Sequence, residues 1–179
     1  MELKLPPRDA YYKLLNIIES ANQILAKASF GRYPPLSPVR GNVAFSSAQH
    51  GWLFTLSSFV QVYAEHNDDV LGNLTAEEFS KRLWGDWYWD PETRKFYKTP
   101  PTRGVERTFV TFCLEPIYKI YTACLGEQEE DTNKLLRSLG VLLKREQLRA
   151  SARPLLRAAM SKFMETATCG FVEMIAKHV

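Results

Sequence analysis

From Tyr11 onward the apolar residues return at steps of three and four: Tyr11, Leu14, Leu15, Ile18, Ala21, Ile24, Leu25 and Ala28. That spacing predicts one long amphipathic helix, entered through Pro6-Pro7 and stopped by Gly31 and Pro34-Pro35. Proline is tolerated at a helix start because its missing N–H would have no partner there. The pattern then changes. Val43, Ala44 and Phe45 form a short apolar run, so Asn42 to Ser46 reads as a strand suited to a sheet covered on both faces. Small polar residues and Gly51 follow. Thr55 then stands as the N-cap of a second helix, with Leu56, Phe59, Val60, Val62 and Tyr63 as its stripe. His66-Asn67-Asp68-Asp69 and Gly72-Asn73 break that helix.

Thr75-Ala76-Glu77-Glu78 has the form of a capping box and opens a short helix that ends near Trp84-Gly85. Asp86 to Asp90 and Lys95 to Lys98, separated by Pro91, predict an aromatic β-hairpin. Such a hairpin is marginal alone, so its aromatic side chains must pack on neighbouring helices. Thr108 to Leu125 reads as a long helix that Pro116 should kink or restart. A further helix begins at Asp131-Thr132, with Leu135, Leu136 and Leu139 apolar and Gly140 as its stop. Ser151 caps a helix from Ala152 to Met164. A last helix starts at Thr168 or Gly170 and is expected to turn Phe171, Met174 and Ile175 inward.

Composition narrows the picture. Hydrophobic residues make up 45% and charged residues 24% of the 179, which is enough apolar surface for a buried core. The net charge of +3 is too small to argue for nucleic acid by itself. Cys113, Cys124 and Cys169 form no Cys-x-x-Cys pair, so they read as small core residues in a reducing compartment. The N-terminus lacks the apolar region of a signal peptide, and no run of about 18 apolar residues spans a membrane.

One stretch carries candidate chemistry. From Gly41 to Trp52 the order is strand, tight loop, helix, which is how doubly wound α/β domains offer backbone N–H groups to a ligand. In that loop Ser47-Ala48 resembles the fifth guanine-contacting motif of translational GTPases. No Gly-x-x-x-x-Gly-Lys-[Ser/Thr] phosphate loop and no Asn-Lys-x-Asp occurs. The stretch therefore reads as one wall of a base pocket in the second half of a nucleotide-binding domain. The plain alternative is an ordinary turn in which a serine caps its own neighbours.

Longer matches make the resemblance specific. Gly41-Asn42-Val43, His50-Gly51-Trp52 with Phe54-Thr55-Leu56, Leu83-Trp84-Gly85-Asp86, Glu115-Pro116-Ile117-Tyr118-Lys119 and Arg153-Pro154-Leu155-Leu156 resemble the GTPase domain of elongation factor 2-like proteins. Glu2 to Pro7, Asp9 to Leu14, Phe45-Ser46-Ser47 and Gly170-Phe171-Val172 are most similar to the branch found in the U5 small nuclear ribonucleoprotein. The ribosomal translocase carries Gly-Ser-Gly-Leu where this chain has Ser46-Ser47-Ala48-Gln49. His50-Gly51-Trp52, in contrast, is closer to the translocase.

The resemblance implies an α/β fragment, mostly α-helical: the C-terminal part of a P-loop GTPase domain with an inserted small α+β lobe. Residues 1–66 would belong to the GTPase core, 67–150 to the lobe and 151–179 to the closing helices. Ser47, Ala48 and Gln49 would hold GTP or GDP, the Ala48 N–H facing the guanine carbonyl oxygen. The Mg²⁺ ligands would lie in the parent protein outside this chain, which would neither bind GTP tightly nor hydrolyse it alone. Partners would be spliceosomal proteins and U5 small nuclear RNA, in the nucleus. The alternatives are a ribosomal translocase or ribosome-maturation GTPase, acting in the cytoplasm, and a non-enzymatic helical module that binds proteins through its aromatic lobe.

Other constellations read as structural. His50, His66 and His178 share no metal-ligand spacing, and His50 reads as a loop-orienting imidazole. Asp86 and Asp90 read as turn and cap residues. Trp84, Trp87, Tyr88, Trp89, Phe96 and Tyr97 could stack single-stranded RNA, but such a cluster more often forms the core of a small lobe.

Overall fold

Pro7 occupies the first turn of helix α1 (Pro7–Ser29), with Asp9 in the same turn and Lys27 in the last. Both charges complement the helix dipole. The computed structural model describes residues 5–66, 74–126, 129–167 and 169–178. The breaks expected at 67–69 and 72–73, and Thr168, lie outside them. Of the α1 stripe only Tyr11 is fully buried, whereas Ile24 is 69% exposed.

The run before the candidate loop differs from expectation. Strand β1 is Phe45–Ser47, and it pairs antiparallel with a second strand, β2 (Trp52–Phe54), Phe45 facing Phe54 and Ser47 facing Trp52. Val43 and Ala44 precede the strand and are only partly buried. The cause is local. Gly51, at φ +70°, lets the chain reverse at once, and the aromatic Trp52 and Phe54 favour an extended return. The strand is thus not a lone member of a parallel sheet. It satisfies one edge of its backbone with its own continuation. Helix α2 (Leu56–His66) follows, with Thr55 as its cap: the Thr55 hydroxyl accepts from the Ser58 N–H at 3.3 Å.

Helix α3 (Ala76–Arg82) carries the expected capping box, Thr75 and Glu78 each accepting from the other's backbone N–H. Strands β3 (Tyr88–Asp90) and β4 (Lys95–Tyr97) form the predicted hairpin. Asp90 shapes its turn, accepting from the Glu92 N–H at 3.0 Å and the Thr93 hydroxyl at 2.8 Å.

The proline expected to interrupt the next helix acts one turn upstream. Phe109–Leu114 is a widened π-type segment, and helix α4 (Glu115–Gly126) continues from it. Pro116 has no N–H to give to the carbonyl four residues earlier, and its ring would press on that carbonyl in a regular helix. The Tyr63 hydroxyl donates to that Phe112 carbonyl instead, at 2.7 Å. Burial pushes the Tyr63 phenol well above its usual range. Tyr63→Phe is expected to cost about 1–3 kcal/mol, the penalty for stranding a buried acceptor. Urea unfolding of the two proteins measures it, and an unchanged midpoint would refute the role given to the hydroxyl.

Helix α5 (Glu129–Ser138) ends at Gly140, φ +75°, where the Val141 N–H reaches back to the Leu136 carbonyl. A short α6 (Arg145–Leu148) leads to α7 (Ala152–Phe163). Ser151 precedes α7 as predicted, although its side chain makes no capping bond. In the last helix, α8 (Gly170–His178), only part of the expected inward face is found: Met174 is partly buried, but Phe171 and Ile175 are 40% and 41% exposed. Gly170 itself is buried, so the face it shares with Met174 turns inward and the next face stays in solvent.

Among the described residues the protein is therefore mostly helical, with two small antiparallel sheets. One apolar cluster gathers α1, β1, β2, α2, α3 and the π segment around Tyr11, Phe45, Phe59, Phe79 and Phe109, and reaches Met160 and Phe163 of α7. Cys113 and Cys124 lie within it as expected, but Cys169 is exposed. Among the described residues no helix is long and apolar enough to cross a membrane.

Candidate functional site

Ala48, Gln49, His50 and Gly51 form the turn between β1 and β2, closed by the Gly51 N–H on the Ser47 carbonyl at 2.8 Å. Ser47 is the last residue of β1, so the three predicted site residues stand side by side at one hairpin tip. Ala48 and Gln49 are exposed, and their backbone N–H groups have no partner among the described residues. Phe45, two residues before Ser47, anchors the base of the hairpin: its ring lies 5.0 Å from Phe109, 5.3 Å from Phe54 and 5.5 Å from Trp84. The tip is thus presented to solvent by a rigid aromatic base.

The outer side of the tip is held by groups distant in sequence. The Trp52 indole N–H donates to the Tyr121 hydroxyl at 3.0 Å. That hydroxyl lies 2.7 Å from His50 Nδ1, and Ser47 Oγ lies 3.2 Å from the same nitrogen. The His50 and Tyr121 rings meet edge to face at 5.1 Å. Partial burial, then the positive charge of Arg153, holds the His50 pKa below the usual imidazole value. A neutral ring follows at physiological pH. The loop-orienting role expected of His50 therefore has partners. Arg157 adds a wall, with Nε 3.2 Å from where a Gly51 side chain would begin.

Tyr121 escaped the local reading because it lies 71 residues from His50 and looks like any helix aromatic. The remaining candidates have structural partners. Asp86 stands at the centre of a tight turn, closed by the Trp87 N–H on the Gly85 carbonyl at 3.0 Å, and its side chain also accepts from Arg107 at 2.9 and 3.2 Å, while Arg107 donates to the Tyr12 hydroxyl at 2.8 Å. Trp84 is buried, Trp89 packs on Phe96 at 4.6 Å, and Lys98 Nζ lies 3.6 Å from the Trp87 ring centroid. These rings are occupied by the protein itself. No three His, Cys, Asp or Glu side chains among the described residues could gather a metal.

A mostly helical α+β segment with an exposed hairpin tip at 48–51 that presents unbonded backbone N–H groups is what the geometry defines. No family model matches the chain. It is 44% identical over 180 residues to the 110 kDa U5 small nuclear ribonucleoprotein component CLO of Arabidopsis thaliana. It is equally similar, 44% over 180 residues, to the 109 kDa component GFL of the same plant. To the pre-mRNA-splicing factor cwf10 of Schizosaccharomyces pombe it is 38% identical over 179 residues. The similarity covers 99–100% of this chain, which spans only 18% of the length of each relative.

Proposed function

We propose that this chain is one segment of a GTP-binding component of the U5 small nuclear ribonucleoprotein. It would act in the nucleus, in the activation and disassembly of the spliceosome during pre-mRNA splicing. The observation that carries the reading is end-to-end similarity, at 38–44% identity, to proteins named for that particle and for splicing. The three relatives favour this over a ribosomal translocase. Its partners are spliceosomal proteins and U5 small nuclear RNA. Immunoprecipitation of the full-length protein from nuclear extract is expected to enrich that RNA over the other spliceosomal RNAs. Equal recovery of all of them overturns the assignment.

Within the parent, the 48–51 tip is the wall of a guanine pocket in the C-terminal part of a P-loop GTPase domain. The free Ala48 and Gln49 N–H groups and the small Ala48 side chain fit the edge of a base. Phosphate and Mg²⁺ contacts, which carry most of the affinity and all of the hydrolysis, belong to other parts of the parent. Ala48→Ile in the full-length protein is expected to weaken GDP about tenfold to hundredfold. One lost hydrogen bond to a poorly solvated base group is worth about 1–3 kcal/mol, at about 1.4 kcal/mol per decade. Fluorescent-nucleotide titration reads this; equal affinity in a folded variant removes the loop from the site.

A further inference from the structure

We infer that Tyr121 is a positioning residue for the guanine-reading tip, acting through His50 with Trp52 as its anchor. The inference rests on the reading of that tip as a base contact. Tyr121 Oη stands between two nitrogens, Trp52 Nε1 at 3.0 Å and His50 Nδ1 at 2.7 Å. The indole nitrogen can only donate, so the phenol oxygen accepts from it. The single phenol proton is then left for His50 Nδ1. This arrangement places the indole proton and the phenol proton on one acceptor each. It fixes the neutral imidazole with its proton on Nε2, since Nδ1 is the acceptor. The opposite tautomer would make the phenol oxygen accept from both nitrogens and would leave the phenol proton unplaced.

The geometry makes this relay a constraint on Ala48. His50 is two residues beyond Ala48 in a turn whose far end, Gly51, is bonded to Ser47. Ser47 Oγ lies 3.2 Å from the same His50 nitrogen, a longer contact that shares the one lone pair with the Tyr121 phenol. The tip is thus pinned at Ser47, His50 and Trp52, while Ala48 and Gln49 are left facing outward. Tyr121 comes from α4, whose upper half runs through the buried cluster as Ile117, Ile120 and Cys124. The anchor is therefore a core helix and not another loop. Oriented donors read a base edge only if they are held where the base will sit.

The test uses the full-length protein and compares GDP with the diphosphate of 2,6-diaminopurine riboside, which carries an amino group in place of the guanine carbonyl. Phosphate contacts are common to both, so the affinity ratio reports the base edge alone. Tyr121→Phe is expected to lower the ratio by about two- to tenfold, the worth of one net hydrogen bond. His50→Ala should do the same. His50→Asn, which keeps an acceptor near the position of Nδ1, should restore most of the preference. A lost fold would weaken both nucleotides together, and the His50 pair carries the test if Tyr121→Phe does not fold. If Tyr121→Phe and His50→Ala keep the full ratio while Ala48→Ile loses it, the relay is not a positioning device and the base contact stands. If Ala48→Ile keeps the ratio too, the reading of the tip falls and the inference falls with it.

Discussion

Phe109→Ala is expected to be the most damaging single truncation near the candidate site, costing about 3–5 kcal/mol, the range for deleting a buried aromatic ring. Phe109 is fully buried, with ring centroids 4.8 Å from Trp84, 5.0 Å from Phe45 and 5.9 Å from Tyr11. Those three rings belong to three different parts of the chain: the segment after α3, strand β1 and helix α1. Their backbones are tied elsewhere, so the space left by the ring would close only in part. Chemical denaturation measures the cost. Hydrogen exchange should show residues 45–54 opening faster in the variant, because Phe45 loses the ring that seats the hairpin. Tyr33→Ala, at a residue 67% exposed, is the control and should stay within about 0.5 kcal/mol of the parent. A Phe109→Ala cost below about 1 kcal/mol would mean that the three elements collapse onto one another, and that the hairpin base is not rigid.

Gly170→Ala should behave against the usual rule. Alanine is ordinarily better than glycine in a helix by about 0.5–1 kcal/mol. Here a Cβ at residue 170 would lie 2.4 Å from Ser58 Oγ, 2.5 Å from Ser58 Cβ and 2.6 Å from Thr55 Oγ1. Ser58 and Thr55 are themselves buried and bonded to each other across the first turn of α2. The Ser58 Cβ is fixed to its backbone, so no rotamer change clears the space. Helix α8 must move outward, at about 3 kcal/mol, the upper part of the range for overpacking. Gly126→Ala, where nothing lies within 4 Å of the new methyl, should be neutral or stabilising. Thermal melts should therefore fall for Gly170→Ala and stay level or rise for Gly126→Ala. A stabilised Gly170→Ala protein would show that α8 does not dock through this contact.

Local signals were readable where a single residue decides a backbone state. Thr75 with Glu78, Gly140 and the prolines before Tyr11 each mark a helix end by their own chemistry, and each end is found there. Strand β2 was missed because Trp52, Leu53 and Phe54 are too few to show alternation, and Thr55 already signals the helix beyond. Of the α8 residues expected inward, Met174 turns in and Phe171 and Ile175 do not, because apolar residues lie on adjoining faces and a glycine, silent in any hydrophobic pattern, selects between them. Of the candidate site, the position of Ser47, Ala48 and Gln49 at a turn was legible. Its supports were not, since the bond from Tyr121 to His50 depends on how α4 packs and leaves no periodic trace.

The pairing of Tyr63 with the carbonyl left open by Pro116 constrains how this chain can diverge. With proline at 116, loss of the Tyr63 hydroxyl strands an acceptor in the core. With an ordinary residue at 116 the segment is free to return to the regular helical register, in which that residue's own N–H serves the Phe112 carbonyl and the hydroxyl becomes dispensable. The two substitutions are therefore not interchangeable in time. A lineage can lose the proline first and the tyrosine hydroxyl afterwards at small cost, whereas the reverse order passes through a weakened intermediate. Positions 63 and 116, far apart in sequence, are expected to change together and in one direction.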